Sequence, residues 1–213
     1  MGKISFFMVV IIDYQAGNLT SVVRSLKALG VAGEVTQDPA VVGRAERIVF
    51  PGVGAAGTAM AILKDLKLDQ ALVKAFEKGV PILGICLGAQ VVLEYSEEND
   101  TPCLGLLPGR TQALPRQPGL KIPHMGWNTV KFLRAHPIAK GLPENAEYYF
   151  VHSYYPAPAA EPLVLGVTEH GITFPSVMGR RNLVATQFHP EKSGRFGLQL
   201  LENFLRWDGR WQD

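Results

Sequence analysis

Apolar and polar residues follow one another in two rhythms along the first half of the chain. An unbroken apolar run from Phe6 to Ile12 stops at Asp13, whereas Leu19, Val22, Val23, Leu26 and Leu29 fall three or four apart and are followed by Gly30. The first pattern predicts a buried strand; the second predicts a helix with one apolar face and a glycine stop. Ile48 to Phe50 and Pro81 to Ile85 repeat the strand rhythm, and Leu68 to Glu77 the helical one. Strands alternating with helices predict a parallel sheet with helices packed on it.

From about Thr111 the rhythm changes. Gly126 to Phe132, Glu147 to Tyr155, Leu163 to His170, Ser176 to Gly179 and Leu183 to Phe188 read as strands punctuated by Pro and Gly, without crossover helices between them. Hairpins are expected there. Glu94 to Pro102 is polar and reads as a surface loop, and Phe196, Leu200, Leu201, Phe204 and Leu205 mark one face of a last helix from about Gly194 to Trp207. The expected fold is α/β, a central and mostly parallel sheet with helices on both faces and antiparallel strands added.

Composition narrows the class. With 213 residues, 47% of them hydrophobic and 19% charged, the chain is expected to form one domain over 1–213. The net charge of +2 is scattered, with no basic block longer than Arg180-Arg181, so nucleic-acid binding has no electrostatic footprint. The run from Phe6 to Ile12 is far short of the ~20 residues of a membrane span, and no targeting segment is expected. Two cysteines are too few for a disulfide framework, and their number points to a reducing, cytoplasmic setting.

One of them stands in a special place. Gly84-Ile85-Cys86-Leu87-Gly88 follows a strand-like run (Val80 to Leu83) and precedes a helical stretch (Ala89 to Leu93), which is the G-x-nucleophile-x-G turn with Cys in place of Ser. In that turn only glycine fits two residues to either side of the nucleophile. The following helix aims free N–H groups at the sulfur and favours its thiolate, and the N–H of Leu87 is placed to receive an oxyanion. A small buried hydrophobe is the other reading of Cys86. Cys103, in Thr-Pro-Cys-Leu-Gly, has no such setting and is expected to be structural.

A thiol that expels an amine needs a base that later acts as an acid. His189 lies at the end of the run Leu183 to Phe188, just before Pro190 and Glu191. Ends of strands line the crevice of an open α/β sheet, so Cys86 and His189 can meet at one edge, with Glu191 orienting the ring. A solvated carboxylate after a surface proline is the alternative for Glu191. His136 and His170 sit in polar, loop-like stretches and are expected at the surface, while His124 and His152 are read either as core packing or as site lining. No His, Cys or carboxylate pair has metal-ligand spacing, and neither a metal nor another cofactor is expected.

Pro51-Gly52-Val53-Gly54, the elbow with Ala89-Gln90, and Gln187-Phe188-His189-Pro190-Glu191 together resemble the class I (triad) glutamine amidotransferases, whose fold is flavodoxin-like. Asp13-Tyr14, Gly17-Asn18, His124-Met125-Gly126-Trp127-Asn128, Tyr149 to Tyr154 and Pro190 to Ser193 are similar to the glutaminase-subunit family of imidazole glycerol phosphate synthases. Ala89 stands where that family usually has Met, and Gln15 where Gly is common. The resemblance implies that Cys86, His189 and Glu191 hydrolyse L-glutamine to glutamate and ammonia through a thioester. It implies further that the N–H groups of Val53 and Leu87 hold the oxyanion and that Gly54, Gln90, Ser153 and Tyr154 bind the substrate.

The same resemblance implies a partner, a (β/α)8-barrel cyclase subunit in a heterodimer, which takes the ammonia for histidine biosynthesis. Asn18, Met125, Trp127 and Lys192 are the candidates for its docking face, Trp being a typical interface anchor; a core position is the alternative for Trp127. The rivals are a subunit of another amidotransferase, a stand-alone thiol hydrolase of γ-glutamyl peptides, and a non-catalytic binding subunit.

Overall fold

In the computed structural model, which describes residues 8–15 and 19–211, alternate residues of the first strand serve two cores. Strand β1 (Val9–Ile12) turns Val10 and Ile12 to one face of the sheet and Val9 and Ile11 to the other, as the two-residue period of a strand requires. Phe6 and Phe7, the start of the expected strand, lie outside the described residues. Helix α1 (Leu19–Ala28) follows, then β2 (Gly33–Thr36), α2 (Pro39–Val42), β3 (Arg47–Gly52), α3 (Ala56–Asp65), α4 (Leu68–Glu77), β4 (Ile82–Cys86) and α5 (Leu87–Val91).

Hydrophobic periodicity finds α1, α4, β3 and β4 but passes over β2, α2 and α3. The reason is local. β2 is Gly-Glu-Val-Thr at the sheet edge, with two of its four residues exposed, and α3 buries mostly small side chains, Ala56 and Ala59 beside Met60 and Leu63. Neither leaves a strong apolar rhythm.

The second half holds β5 (Tyr95–Ser96), β6 (Thr101–Pro102), β7 (Gly109–Ala113), β8 (His124–Thr129), β9 (Lys131–Phe132), β10 (Glu147–His152) and β11 (Tyr154–Pro158). After these come β12 (Val164–His170), β13 (Ile172–Arg180), β14 (Leu183–Thr186) and α6 (Gly194–Arg206). The main sheet runs β2-β1-β3-β4-β14-β13-β12-β9. From β2 to β14 all neighbours are parallel, and β13, β12 and β9 add on antiparallel. Helices α2, α3, α4 and α5 cover one face; α1, α6 and the ribbon of β8 and β10 cover the other. The expected architecture is therefore found, with three local corrections.

The polar segment Glu94 to Pro102 is a hairpin of β5 and β6 rather than a loop. Its strands are two residues each, too short to show a period. The run from Glu147 to Tyr155 breaks at Ser153, where the chain leaves the ribbon with β8 and joins β7 in a separate four-stranded sheet. Likewise Gly126 to Phe132 divides between that ribbon and the edge of the main sheet. The third correction concerns His136, which is buried rather than at the surface. It accepts from the Ile138 N–H at 3.1 Å and packs its ring on Trp207 and Trp211, and burial lowers its pKa to about 4. No helix among the described residues is long and apolar enough to cross a membrane.

The end of α6 is fastened to the sheet by Arg47. Its guanidinium, almost wholly buried, donates to the carbonyls of Leu205 at 2.9 Å and Trp207 at 2.7 Å. Those carbonyls have no partner inside the helix. Arg47→Met keeps the apolar stem but leaves them unsatisfied, and is expected to lower the unfolding free energy by about 2–4 kcal/mol. A urea titration reads this directly; an unchanged midpoint would show that the anchor is not needed.

Candidate active site

The elbow is built as the glycine spacing requires. Cys86 ends β4 and sits at φ 54°, ψ −106°, a strained conformation for a residue with a side chain. The turn is held by contact on both sides. A Cβ on Gly88 would come within 1.9 Å of the Phe50 carbonyl oxygen, and one on Gly84 within 3.1 Å of the Gly88 carbonyl oxygen. With no room for a methyl group, α5 starts immediately after the sulfur-bearing residue, earlier than the Ala89 start expected from the pattern. Leu87 is its first residue, so its N–H has no helix carbonyl to bond.

Strand β14 lies beside β4 and parallel to it, Thr186 opposite Ile85, so the chain that follows β14 emerges at the same edge as Cys86. His189 is there. Its own N–H donates to the Tyr149 carbonyl at 2.9 Å, and Ser193 Oγ donates to the His189 carbonyl at 2.6 Å while accepting from the Tyr149 N–H at 2.9 Å. His189 Nδ1 donates to Glu191 Oε1 at 2.7 Å, with the carboxylate side chain only 4% exposed. Glu191 is thus a buried orienter and not a solvated surface carboxylate. The other ring nitrogen, Nε2, is buried and has no hydrogen-bond partner among the described residues. Cys86 is near enough to act on the charge of the same ring.

Electrostatics at the ring reflect three influences. Burial pulls the His189 pKa down, but the Cys86 sulfur and then the Glu191 carboxylate outweigh it and push it up, to about 10. Cys86 and Glu191 thus both favour the charged form of the ring. Cys86 Sγ also lies 3.9 Å from the Val151 carbonyl and receives a contact from Gln187 Nε2 at 3.6 Å.

Beside the sulfur opens a pocket of about 300 Å³. Val53, Gly54, Leu87, Gln90, Ser153 and Tyr154, all expected from the sequence, line it together with Cys86. Gln90 donates through Nε2 to the Tyr154 carbonyl and to Gln187 Oε1, both at 2.9 Å. No group among the described residues donates to its Oε1, so that oxygen is the atom left for a ligand.

Sequence reasoning missed Glu98, which lines the same pocket and accepts from the Ala56 N–H at 2.8 Å. It sits in the segment read as a polar surface loop, and nothing in its spacing to Cys86 signals a site. Gln187, two residues before His189, carries no site signal in its sequence; fully buried, it bridges Cys86 and Gln90.

His152 lines the pocket and His124 lies behind it, so for these two the alternative of pure core packing falls only for His152. His170, half-buried, stacks on His124 with ring centroids 4.0 Å apart and is not the free surface residue expected. Cys103 is half-buried with its pKa raised to about 11 by burial, in keeping with a structural thiol. Met125 and Trp127 are 63% and 55% exposed, which removes the core reading of Trp127, and Lys192 is exposed. Asn18 lies outside the described residues.

The fold and the elbow define a class, and comparison agrees with it: the family described as glutamine amidotransferase class-I matches residues 10–207. A chain of PurLQS from Thermotoga maritima superposes with a TM-score of 0.73 at 17% identity, covering 93% of this chain and 97% of that one, which speaks for the fold alone. Two curated relatives are much nearer. The imidazole glycerol phosphate synthase subunit HisH of Nitrosococcus oceani is 49% identical over 94% of this chain and 98% of its own length. That of Dehalococcoides mccartyi is 44% identical over 93% and 97%. The chain belongs to the HisH family of class-I glutamine amidotransferases.

The raised His189 pKa has a consequence in solution. Because it lies above the ~6.5 of an unfolded histidine, the imidazolium's contribution to stability is complete below that pH and is lost as the pH rises toward about 10. Glu191→Gln is expected to lower the ring's pKa and to move this loss to lower pH. An NMR titration of the ring protons checks the first, and urea midpoints across the same pH range check the second. An unshifted pKa would mean that Glu191 does not support the charge.

Proposed function

We propose that this chain is the glutaminase subunit of an imidazole glycerol phosphate synthase, working in the cytoplasm as one half of a heterodimer with a (β/α)8-barrel cyclase subunit. The observation that carries the proposal is the juxtaposition at one sheet edge of the strained Cys86 with His189 and a buried Glu191 2.7 Å from the ring. Membership of the HisH family supports glutamine as the substrate.

In this reading glutamine lies in the pocket with its carboxamide at Cys86. The sulfur attacks the carboxamide carbon, and the negative charge passes to the amide oxygen, which the Leu87 N–H receives at the start of α5. The Val53 N–H is the second donor; Val53 lines the pocket and is 40% exposed, which supports a response of this peptide to a partner. His189 gives its proton to the departing nitrogen and ammonia leaves, with a γ-glutamyl thioester remaining on Cys86. A water then gives its proton to His189 and attacks the thioester, releasing glutamate and restoring the thiolate and imidazolium. The loss of either oxyanion donor costs about 10²- to 10³-fold in rate.

At the other end of the substrate, the Glu98 carboxylate and Gln90 Oε1 suit the α-ammonium group, and Gly54, Ser153 and Tyr154 complete the wall. The exposed Met125, Trp127 and Lys192 offer the docking face. Met125 pairs across the ribbon with Val151, whose carbonyl touches Cys86 Sγ, so a partner on β8 rests one strand away from the nucleophile.

Cys86→Ala separates the two halves of this reading. In complex with the cyclase, the variant is expected to lose glutamine-dependent synthesis by at least about 10³-fold while synthesis from added ammonium salt is unchanged. Retention of glutamine-dependent synthesis would remove Cys86 as the nucleophile. Loss of both activities together would point to a disturbed complex, and Cys86→Ser, nearly isosteric, then decides between the two.

A further inference from the structure

Behind the pocket, a row of side chains forms a hydrogen-bonded line whose direction is fixed at both ends by backbone groups. At one end Asn128 Oδ1 accepts from the Thr129 N–H at 2.8 Å, and its Nδ2 donates to the Glu169 carbonyl at 2.9 Å. The amide is thus oriented, and the same Nδ2, 3.2 Å from His124 Nε2, must donate to it. At the other end His152 Nδ1 lies 2.8 Å from the Tyr154 carbonyl oxygen, which can only accept, so the proton of His152 is on Nδ1. Between them His124 Nδ1 and His152 Nε2 are 2.9 Å apart. With His124 Nε2 and His152 Nε2 both accepting, His124 must carry its proton on Nδ1 and give it to His152.

The line therefore has one self-consistent arrangement: Asn128 donates to His124, His124 to His152, and His152 to the Tyr154 carbonyl. That carbonyl is also the acceptor for Gln90 Nε2, and Tyr154 and His152 both line the pocket. We propose that His124 is a positioning residue for the substrate: by donating to His152 it selects the ring tautomer that holds the Tyr154 carbonyl, and through it Gln90, in the binding geometry. In the other tautomer, His152 Nδ1 would turn a lone pair toward the carbonyl oxygen and push that wall away. The tautomers are those of neutral rings. Burial and the neighbouring His170 lower the His124 pKa to about 4, and burial lowers that of His152 to about 3.

The inference rests on the glutaminase reading for its substrate, and the relay itself does not. His124→Phe retains a ring between Phe150 and His170, which stack on it at 4.8 and 4.0 Å, and removes the donor to His152 together with the acceptor for Asn128. In the complex with the cyclase, this variant is expected to raise KM for glutamine about tenfold with kcat changed less than about twofold. His124→Asn returns an N–H near the place of Nδ1 and is expected to recover KM to within about threefold of the native value. A native KM in the Phe variant, or equal losses in both, would overturn the proposal. A second measurement needs no variant: the ring ¹⁵N shifts of the native chain are expected to show His152 protonated on Nδ1, and protonation on Nε2 would overturn it. If the native complex hydrolyses no glutamine, the glutaminase reading fails, while the ring shifts still decide the relay.

Discussion

The turn between β4 and α5 lies so close against β3 that no side-chain carbon fits between them. The Phe50 carbonyl occupies the place a methyl group on Gly88 would take, and the Gly88 carbonyl crowds Gly84 in turn. This contact forces Cys86 into a positive φ and starts the next helix at once, so the sulfur is exposed to the pocket above the sheet and the Leu87 N–H stands beside it. The strain is balanced by the surrounding sheet: β4 is paired on both sides, by β3 and by β14, and is buried throughout. The same pairing with β14 delivers His189. One register of parallel strands therefore sets both the nucleophile's conformation and the position of its base.

The ribbon of β8 and β10 adds a second layer of control. Tyr149 exchanges hydrogen bonds with the segment from His189 to Ser193, the Val151 carbonyl meets Cys86, and His152 reaches the pocket wall, while the opposite side of the ribbon shows Met125 and Trp127 to solvent. The exposed face and the reacting groups share a single pair of strands. A glutaminase that serves a separate synthase has a physical reason for such an arrangement, since ammonia released into water is lost to the acceptor.

Much of this was legible in the residues. Glycines at 84 and 88 around Cys86 mark the elbow because the steric demand is local, and the apolar run ending at His189 marks a strand end because burial in a parallel sheet is continuous. Glu98, which lines the pocket, and Gln187, buried between Cys86 and Gln90, were not legible as parts of a site, for their position depends on how a short hairpin and a strand end fold back over the elbow. Gln187 lies in a continuous run of buried residues and looks like the end of a strand; Glu98 looks like any polar turn residue. His136 was misplaced for the same reason. Its polar sequence neighbours hide the tryptophans, Trp207 and Trp211, that bury it from the far end of the chain.

The central claim is that Cys86 forms a covalent bond with the γ-carbonyl carbon of glutamine. Rapid acid quenching of the complex during turnover, followed by mass spectrometry of the intact chain and its peptides, tests this most directly. The account predicts a γ-glutamyl adduct on the peptide that contains Cys86, absent from the Cys103 peptide and lost on treatment with hydroxylamine. Turnover of glutamine with no adduct on Cys86 under any quench, or an adduct on Cys103 instead, would contradict it.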